Sequence, residues 1–387
     1  MLSFVNIIVI LGLLTPNLSN AYKTSFYTSS EFGIEGKSAI KDCSAILESI
    51  GETASVDRLE CLLSNEFSLP RHHTVNPQNK EKTRSFLLNS MKQYADEVAV
   101  QSFDQPGEVD VKGINIIATI AGTKRNTSDD NLVLIGAHYD TFLTPNDVTA
   151  GIDDNGSGLA VLLEVLRLVS TKYRANSIKP TNSIMFVAFD FEEYGYVGSQ
   201  LFVNNYLIPY ELAGKKSASF QGAFIMDTIM NYNTTKGSQL LPDLVELIAP
   251  EIENWVNNVN EKMGDFLALI SRETLDTSLT NAFVTHWKSI EPDNSFKMLP
   301  VNFPVEYEAY AGELLRSDHA SFWYHDFTKY KKQLPAVFLT DTGNYRGVMI
   351  DCYHKACDDS RLITKENLSW LQQIANTLFK SIVSLAN

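Results

Sequence analysis

Short unbroken apolar runs alternate along this chain with stretches in which apolar residues recur every three or four positions. Leu132 to Ala137, Ser183 to Ala188 and Phe220 to Met226 are rich in β-formers and lack polar alternation, which predicts strands buried on both faces. Asn115 to Ala121 predicts another strand, Val98 to Phe103 alternates as an edge strand does, and Ala336 to Leu339 adds a last one. Helical spacing puts Phe86, Leu87, Met91 and Tyr94 on one stripe within 80–94, and Leu159, Leu162, Leu163 and Leu166 on one stripe within 158–170. A final helix is predicted from Thr364 to about Leu385. Strands alternating with helices imply an α/β three-layer sandwich around a mixed, mostly parallel central sheet. Ligands of such sheets gather at the carboxyl ends of the strands.

Both flanks of this pattern differ from its middle. The run from Phe4 to Leu14 is too short to span a bilayer, and small residues Ser19 and Ala21 follow it, so residues 1–21 read as a signal peptide. Export to the extracellular space, the periplasm or an endomembrane lumen follows, with no stable membrane anchor. Residues 22–70 read as an N-terminal extension, and 71–387 as one catalytic domain. After Asn231 the pattern changes: Leu244, Ile248, Ile252 and Val256 predict a helix, and the polar stretch beyond it reads as part of an insertion at about 233–304. Four cysteines in an exported chain suggest two disulfides, and proximity favours Cys43–Cys61 and Cys352–Cys357. A net charge of −14 argues against nucleic acid as a partner, because phosphate binding needs a basic footprint.

Candidate chemistry sits in five islands at or near strand ends: Gly-Ala-His138-Tyr-Asp140, Ile-Asp153-Asp154-Asn-Gly-Ser-Gly, Phe-Asp-Phe-Glu192-Glu193-Tyr-Gly, Met-Asp227-Thr and Tyr-His354-Lys-Ala-Cys-Asp358. Imidazoles and carboxylates converging in this way supply the N and O donors that a hydrolytic pair of divalent metals requires. His138 and Asp140 point the same way by strand alternation, so the imidazole can bind metal while Asp140 takes its other N–H. Two carboxylates would repel a phosphate, which removes the nucleotide reading of the Gly-rich turn after Asp153-Asp154. A carboxylate placed there can bridge two cations. Of the adjacent Glu192 and Glu193, one can ligate metal while the other acts as general base. Asp227 ends a buried strand, where an unpaired charge would be costly. His354 lies in a short Cys352–Cys357 loop, and Asp358 is placed to orient its ring.

Together these motifs, with Phe-Glu-Glu-Tyr-Gly-Tyr-Val-Gly-Ser and the later Ser317-Asp318-His319-Ala320-Ser321-Phe322, resemble the cocatalytic zinc aminopeptidases of metallopeptidase family 28, the secreted leucyl and bacterial aminopeptidases. The resemblance spans roughly Arg71 to the C-terminus and implies the zinc-dependent exopeptidase fold. It implies two zinc ions per chain held by His138, Asp154, Glu193, Asp227 and His354, with Asp154 shared and its bond to Asn155 cis. It makes Glu192 the general base, and it places Asp318 and His319 near the substrate pocket. The implied activity is removal of N-terminal residues from peptides with a free N-terminus, through a metal-activated water. The alternatives are a glutaminyl-peptide cyclotransferase-like enzyme with one zinc, and a non-catalytic binding module of the same fold. The stretch from Asp227 to His354 is longer than in small bacterial members, which suggests that 233–304 forms a lid or a subunit contact.

Overall fold

Each apolar run anticipated above becomes a strand, and two further strands come from the region read as an insertion. The structure, a computed structural model, describes residues 43–387 apart from 108–109, 145–146, 215, 244, 291–294 and 305–311. The expected signal peptide and residues 22–42 of the expected extension lie outside the described residues. The strands are β1 (Glu97–Asp104), β2 (Lys112–Ile120), β3 (Asn131–His138), the short pair β4 (Leu143–Thr144) and β5 (Asp147–Val148), β6 (Ile184–Phe189), β7 (Ser219–Met226), β8 (Phe266–Arg272), β9 (Lys297–Phe303) and β10 (Ala336–Thr340). Eight of them form one mixed sheet in the order β1-β2-β6-β3-β7-β10-β8-β9. Strands β6, β3, β7 and β10 run parallel to one another, so their carboxyl ends share one edge.

Alternation explains why the central strands lack polar residues. Ile184, Phe186 and Ala188 of β6 enter one core, and Met185, Val187 and Phe189 enter the other. The first core is covered by the helices Pro77–Tyr94, Gly158–Ala175, Thr277–Ile290 and Lys365–Ala386. The second is covered by helical stretches 197–212 and 245–259 together with Phe322 and Trp323. The result is the expected α/β three-layer architecture.

The 233–304 region differs from its sequence reading. Its apparently polar second half contributes β8, the helix Thr277–Ile290 and β9 to the sheet and its first core. Arg272 at the end of β8 is buried because Asp276 answers it with both oxygens, at 3.1 Å to Nε and 3.0 Å to Nη2. That pairing lets a charged residue close a core strand.

Residues 43–70 are similarly tied in. Both expected disulfides are present, Cys43–Cys61 and Cys352–Cys357. Leu59, Leu62, Leu63 and Phe67 are part of the first core. Glu164, wholly buried on the helix Gly158–Ala175, receives Arg58 Nε at 2.8 Å and Arg167 Nη2 at 2.7 Å. Replacing Glu164 by Ala strands two buried guanidinium groups, and a loss of about 3–5 kcal/mol in unfolding free energy is expected. Denaturant titration of Glu164→Ala against the parent chain measures it, and a change below about 1 kcal/mol would refute this anchoring role.

Candidate metal centre

The parallel strands bring the first two site residues together by register alone. Gly136 of β3 pairs with Ile225 of β7, so two residues further on His138 and Asp227 stand side by side. Both share the side of the sheet taken by Leu134 and Ile225, and His138 Nε2 lies 3.4 Å from Asp227 Oδ1. Gly136 leaves the space beneath His138 to a ring of β6: a Cβ there would stand 2.5 Å from Phe189.

Asp154 arrives from the turn before the helix Gly158–Ala175. Its bond to Asn155 is cis. Asn155 fixes that turn on two sides, donating from Nδ2 to the Met226 carbonyl at 2.8 Å and accepting from the Gly158 N–H at 3.0 Å. The Asp154 carboxylate then faces two imidazoles. Oδ1 is 3.3 Å from His138 Nε2, and Oδ2 is 3.2 Å from His354 Nε2. Glu193 Oε2 also lies 3.2 Å from His354 Nε2, and Glu192 Oε2 is 4.0 Å from His138 Nε2.

The surrounding groups hold this arrangement. Asp140 accepts from the N–H of Glu192 at 3.1 Å and of Glu193 at 3.2 Å, and its Oδ1 is 3.6 Å from His138 Nδ1. It fixes the backbone of the two glutamates and stands beside the imidazole. Asp358 was expected to orient the His354 ring. Its oxygens instead accept from the N–H of Asp153 at 2.8 Å and of Asp154 at 3.1 Å, fixing the backbone of the carboxylate between the imidazoles. The His354 ring is held by stacking between Phe142 and Tyr353, with centroids 4.0 and 3.8 Å away. Phe191, Thr228 and His354 adopt left-handed backbone conformations beside the site, a cost of about 1–3 kcal/mol each that the surrounding fold must carry.

Electrostatics follow from burial and crowding. Burial alone lowers the His138 pKa, but Asp227 and Glu192 outweigh it and carry the imidazole well above its usual value. Burial also opposes His354, yet Glu193 and Asp154 raise it to about 10. Glu193 is pushed up to about 7 by burial and the Asp154 charge, and burial drives Glu192 well above the carboxylate range. Asp154, despite its burial, is held low by the adjacent His138 and His354 imidazoles.

A divalent cation fits this donor set. Within it, His138 Nε2, Glu193 Oε1, Asp227 Oδ1 and His354 Nε2 are buried without hydrogen-bond partners. Three overlapping groups, His138-Asp154-Asp227, His138-Glu192-Glu193 and Asp154-Glu193-His354, each bring donor atoms within 4.8 Å of one another. Unpartnered buried N and O atoms are costly unless something binds them.

Asp318 and His319 are also buried nearby. His319 serves packing: it lies against Phe338, meets Trp323 edge-on and bonds the Leu314 carbonyl at 2.9 Å. Both Asp318 carboxylate oxygens are without a hydrogen-bond partner.

Several supports escaped sequence reading. Arg71 is fully buried and donates to the carbonyls of Phe67, Tyr139, Ala150 and Gly151 at 2.7–3.0 Å, joining the 67–71 segment to the loops after β3. A lone Arg carries no signal of such a role in one dimension. Asp190 collects Lys80, Arg84 and the Tyr139 hydroxyl, and Asp341 receives the Asn231 and Gly343 N–H groups. Asp190 directly follows an apolar run and Asp341 stands one residue beyond another, so the rule that singled out Asp227 points to them as well.

The fold is the one found in solved zinc-dependent exopeptidases. A Zn-dependent exopeptidase from Parabacteroides distasonis superposes with a TM-score of 0.53 at 15% identity, over 86% of this chain and 99% of that one. A Porphyromonas gingivalis glutaminyl cyclase gives 0.56 at 15%, over 85% and 98%. Residues 115–275 match Peptidase family M28, a span that holds four of the five motifs and ends before the His354 island. Among sequence relatives, the uncharacterized protein YfbL of Escherichia coli (strain K12) is 27% identical over 72% of this chain and 80% of its own length. A probable leucine aminopeptidase of Arthroderma otae is 28% identical over 44% of this chain, which spans only 40% of that relative.

Zinc has to compete with protons here. The His354 imidazolium contributes stability to the metal-free protein that is complete below its ordinary 6.5 and fades as pH rises toward about 10. Zinc affinity is therefore expected to increase between about pH 6 and pH 9, with proton release on binding. Calorimetric titrations in buffers of different ionisation enthalpy count those protons. An affinity independent of pH over that span would contradict this picture.

Proposed function

We propose that this chain is a secreted aminopeptidase that binds two zinc ions and removes N-terminal residues from peptides with a free N-terminus. The observation that carries the proposal is the two-sided carboxylate of Asp154, one oxygen toward His138 and the other toward His354. In this reading His138 and Asp227 would hold one ion and Glu193 and His354 the other, with Asp154 available to both. Such a pair of ions polarises a carbonyl and lowers the pKa of water at the site.

The chain's own residues do the rest. Glu192 lies on the turn after β6, beside the donor cluster but on the His138 side of it. Its carboxyl is raised by burial, which suits a group that takes a proton from water and returns it to the departing amine. Asp140, through the N–H groups of Glu192 and Glu193, keeps the base and the ligand in fixed relation. The local excess of carboxylates favours a substrate ammonium over a blocked terminus. Two disulfides agree with export.

The second reading, a one-zinc cyclase, draws on the structural likeness to glutaminyl cyclases. Metal analysis separates the two: two zinc ions per chain fit the aminopeptidase, one fits the cyclase. Glu192→Gln is expected to keep its metal content and lose about 10²–10⁴-fold in kcat on aminoacyl anilides. If the variant hydrolyses them at the parent rate, Glu192 is not the base. Hydrolysis of N-acetylated peptides as fast as free ones would remove the aminopeptidase assignment.

A further inference from the structure

The second core contains a pocket whose lining includes Asp227 and Tyr353. Its floor is the sheet: Ala268 and Ile270 of β8, then Leu299 and Val301 of β9. Its roof includes Ile252 and Val256 from the helical stretch 245–259. The lining also carries polar side chains, among them Gln239, Thr340 and Arg316; Arg316 pairs with Glu313 at 2.9 Å and its guanidinium lies 5.5 Å from the Tyr353 ring. Leu299, Val301 and Phe338 keep 7–8% exposure, whereas Leu132, Leu134 and Ile225 in the same core keep 0–1%, so the sheet surface beneath the pocket is not fully covered.

The direction of the pocket matters as much as its lining. Asp227 follows β7, and β10, β8 and β9 lie in succession beyond it. Crossing from β7 to β9 takes three strand spacings, or about 14 Å. A leucine or phenylalanine side chain covers roughly one of those spacings. The walls over β8 and β9 are mainly hydrocarbon, from Ile252, Val256, Ala268, Ile270, Leu299 and Val301.

Resting on the hydrolase reading above, we propose that this pocket binds a linear aliphatic chain of about eight or more carbons, carried by the substrate next to its reactive amide. The 233–304 region supplies most of the walls, so it acts as a chain-binding element. The ammonium or amide end stays among the carboxylates beside Asp227 while the chain runs beneath residues 245–259 toward β9. Burial in the pocket adds about fourfold in affinity per methylene until the chain reaches β9.

Calorimetric binding of n-alkylamines, from butylamine to decylamine, to the zinc-loaded full chain tests this. Affinity is expected to climb about fourfold per methylene through the series. Ala268→Phe and Leu299→Trp, which narrow the pocket at different depths, are expected to bring decylamine down toward the butylamine value and leave butylamine unchanged. Retained butylamine binding also reports that each variant is folded. A parent affinity that levels off by five carbons, or decylamine binding that neither variant weakens, overturns the proposal. Failure of the hydrolase reading looks different: long amines would bind as described while no aminoacyl anilide is cleaved.

Discussion

The carboxylates of Asp154, Glu192, Glu193 and Asp227 are buried together around two imidazoles, and they cannot all be ionised without a counter-charge. Without metal the cluster relieves this with protons, which is why His138 and His354 are raised despite burial. Divalent cations relieve it better, because they satisfy N and O atoms that otherwise lack partners. Much of the surrounding structure holds these like charges at close quarters, against their repulsion, in one geometry.

The supports divide that task. Asp140 and Asp358 accept backbone N–H groups, so each fixes a stretch of chain that carries a donor. Arg71 works from the opposite sign, drawing carbonyls from three segments around one buried guanidinium. Burial lowers its pKa to about 10, still far above neutrality, so its charge persists under the acidic cluster. The left-handed backbone at Phe191, Thr228 and His354 shows that local backbone preference gives way to site geometry here.

The 233–304 region links the centre to its proposed selectivity. Its strands extend the sheet past β10, and its helical stretch 245–259 stands off that new surface far enough to leave a pocket. One side of β8 therefore belongs to each function: Leu267 and Leu269 enter the closed core, while Ala268 and Ile270 line the pocket. Alternation within a single strand separates stability from binding.

The sequence by itself determined the parts of this protein that depend on short-range pattern. Apolar runs without alternation marked β3, β6 and β7 because a strand buried on both faces leaves no position for a polar side chain. Acid and imidazole residues directly after such runs, or a turn beyond them, marked His138, Asp227 and the Glu192–Glu193 pair, because parallel strands deliver their carboxyl ends to one edge. The two disulfides followed from proximity along the chain. Tertiary structure alone decided the placement of β8 and β9, since a run such as Phe266 to Arg272 becomes a core strand only when Asp276 and the neighbouring strands meet it. It also decided that Asp358 braces Asp154 and that Arg71 gathers distant carbonyls. Those roles depend on hydrogen bonds between residues far apart in the chain, and the pairing of distant groups leaves no periodic trace in a linear sequence.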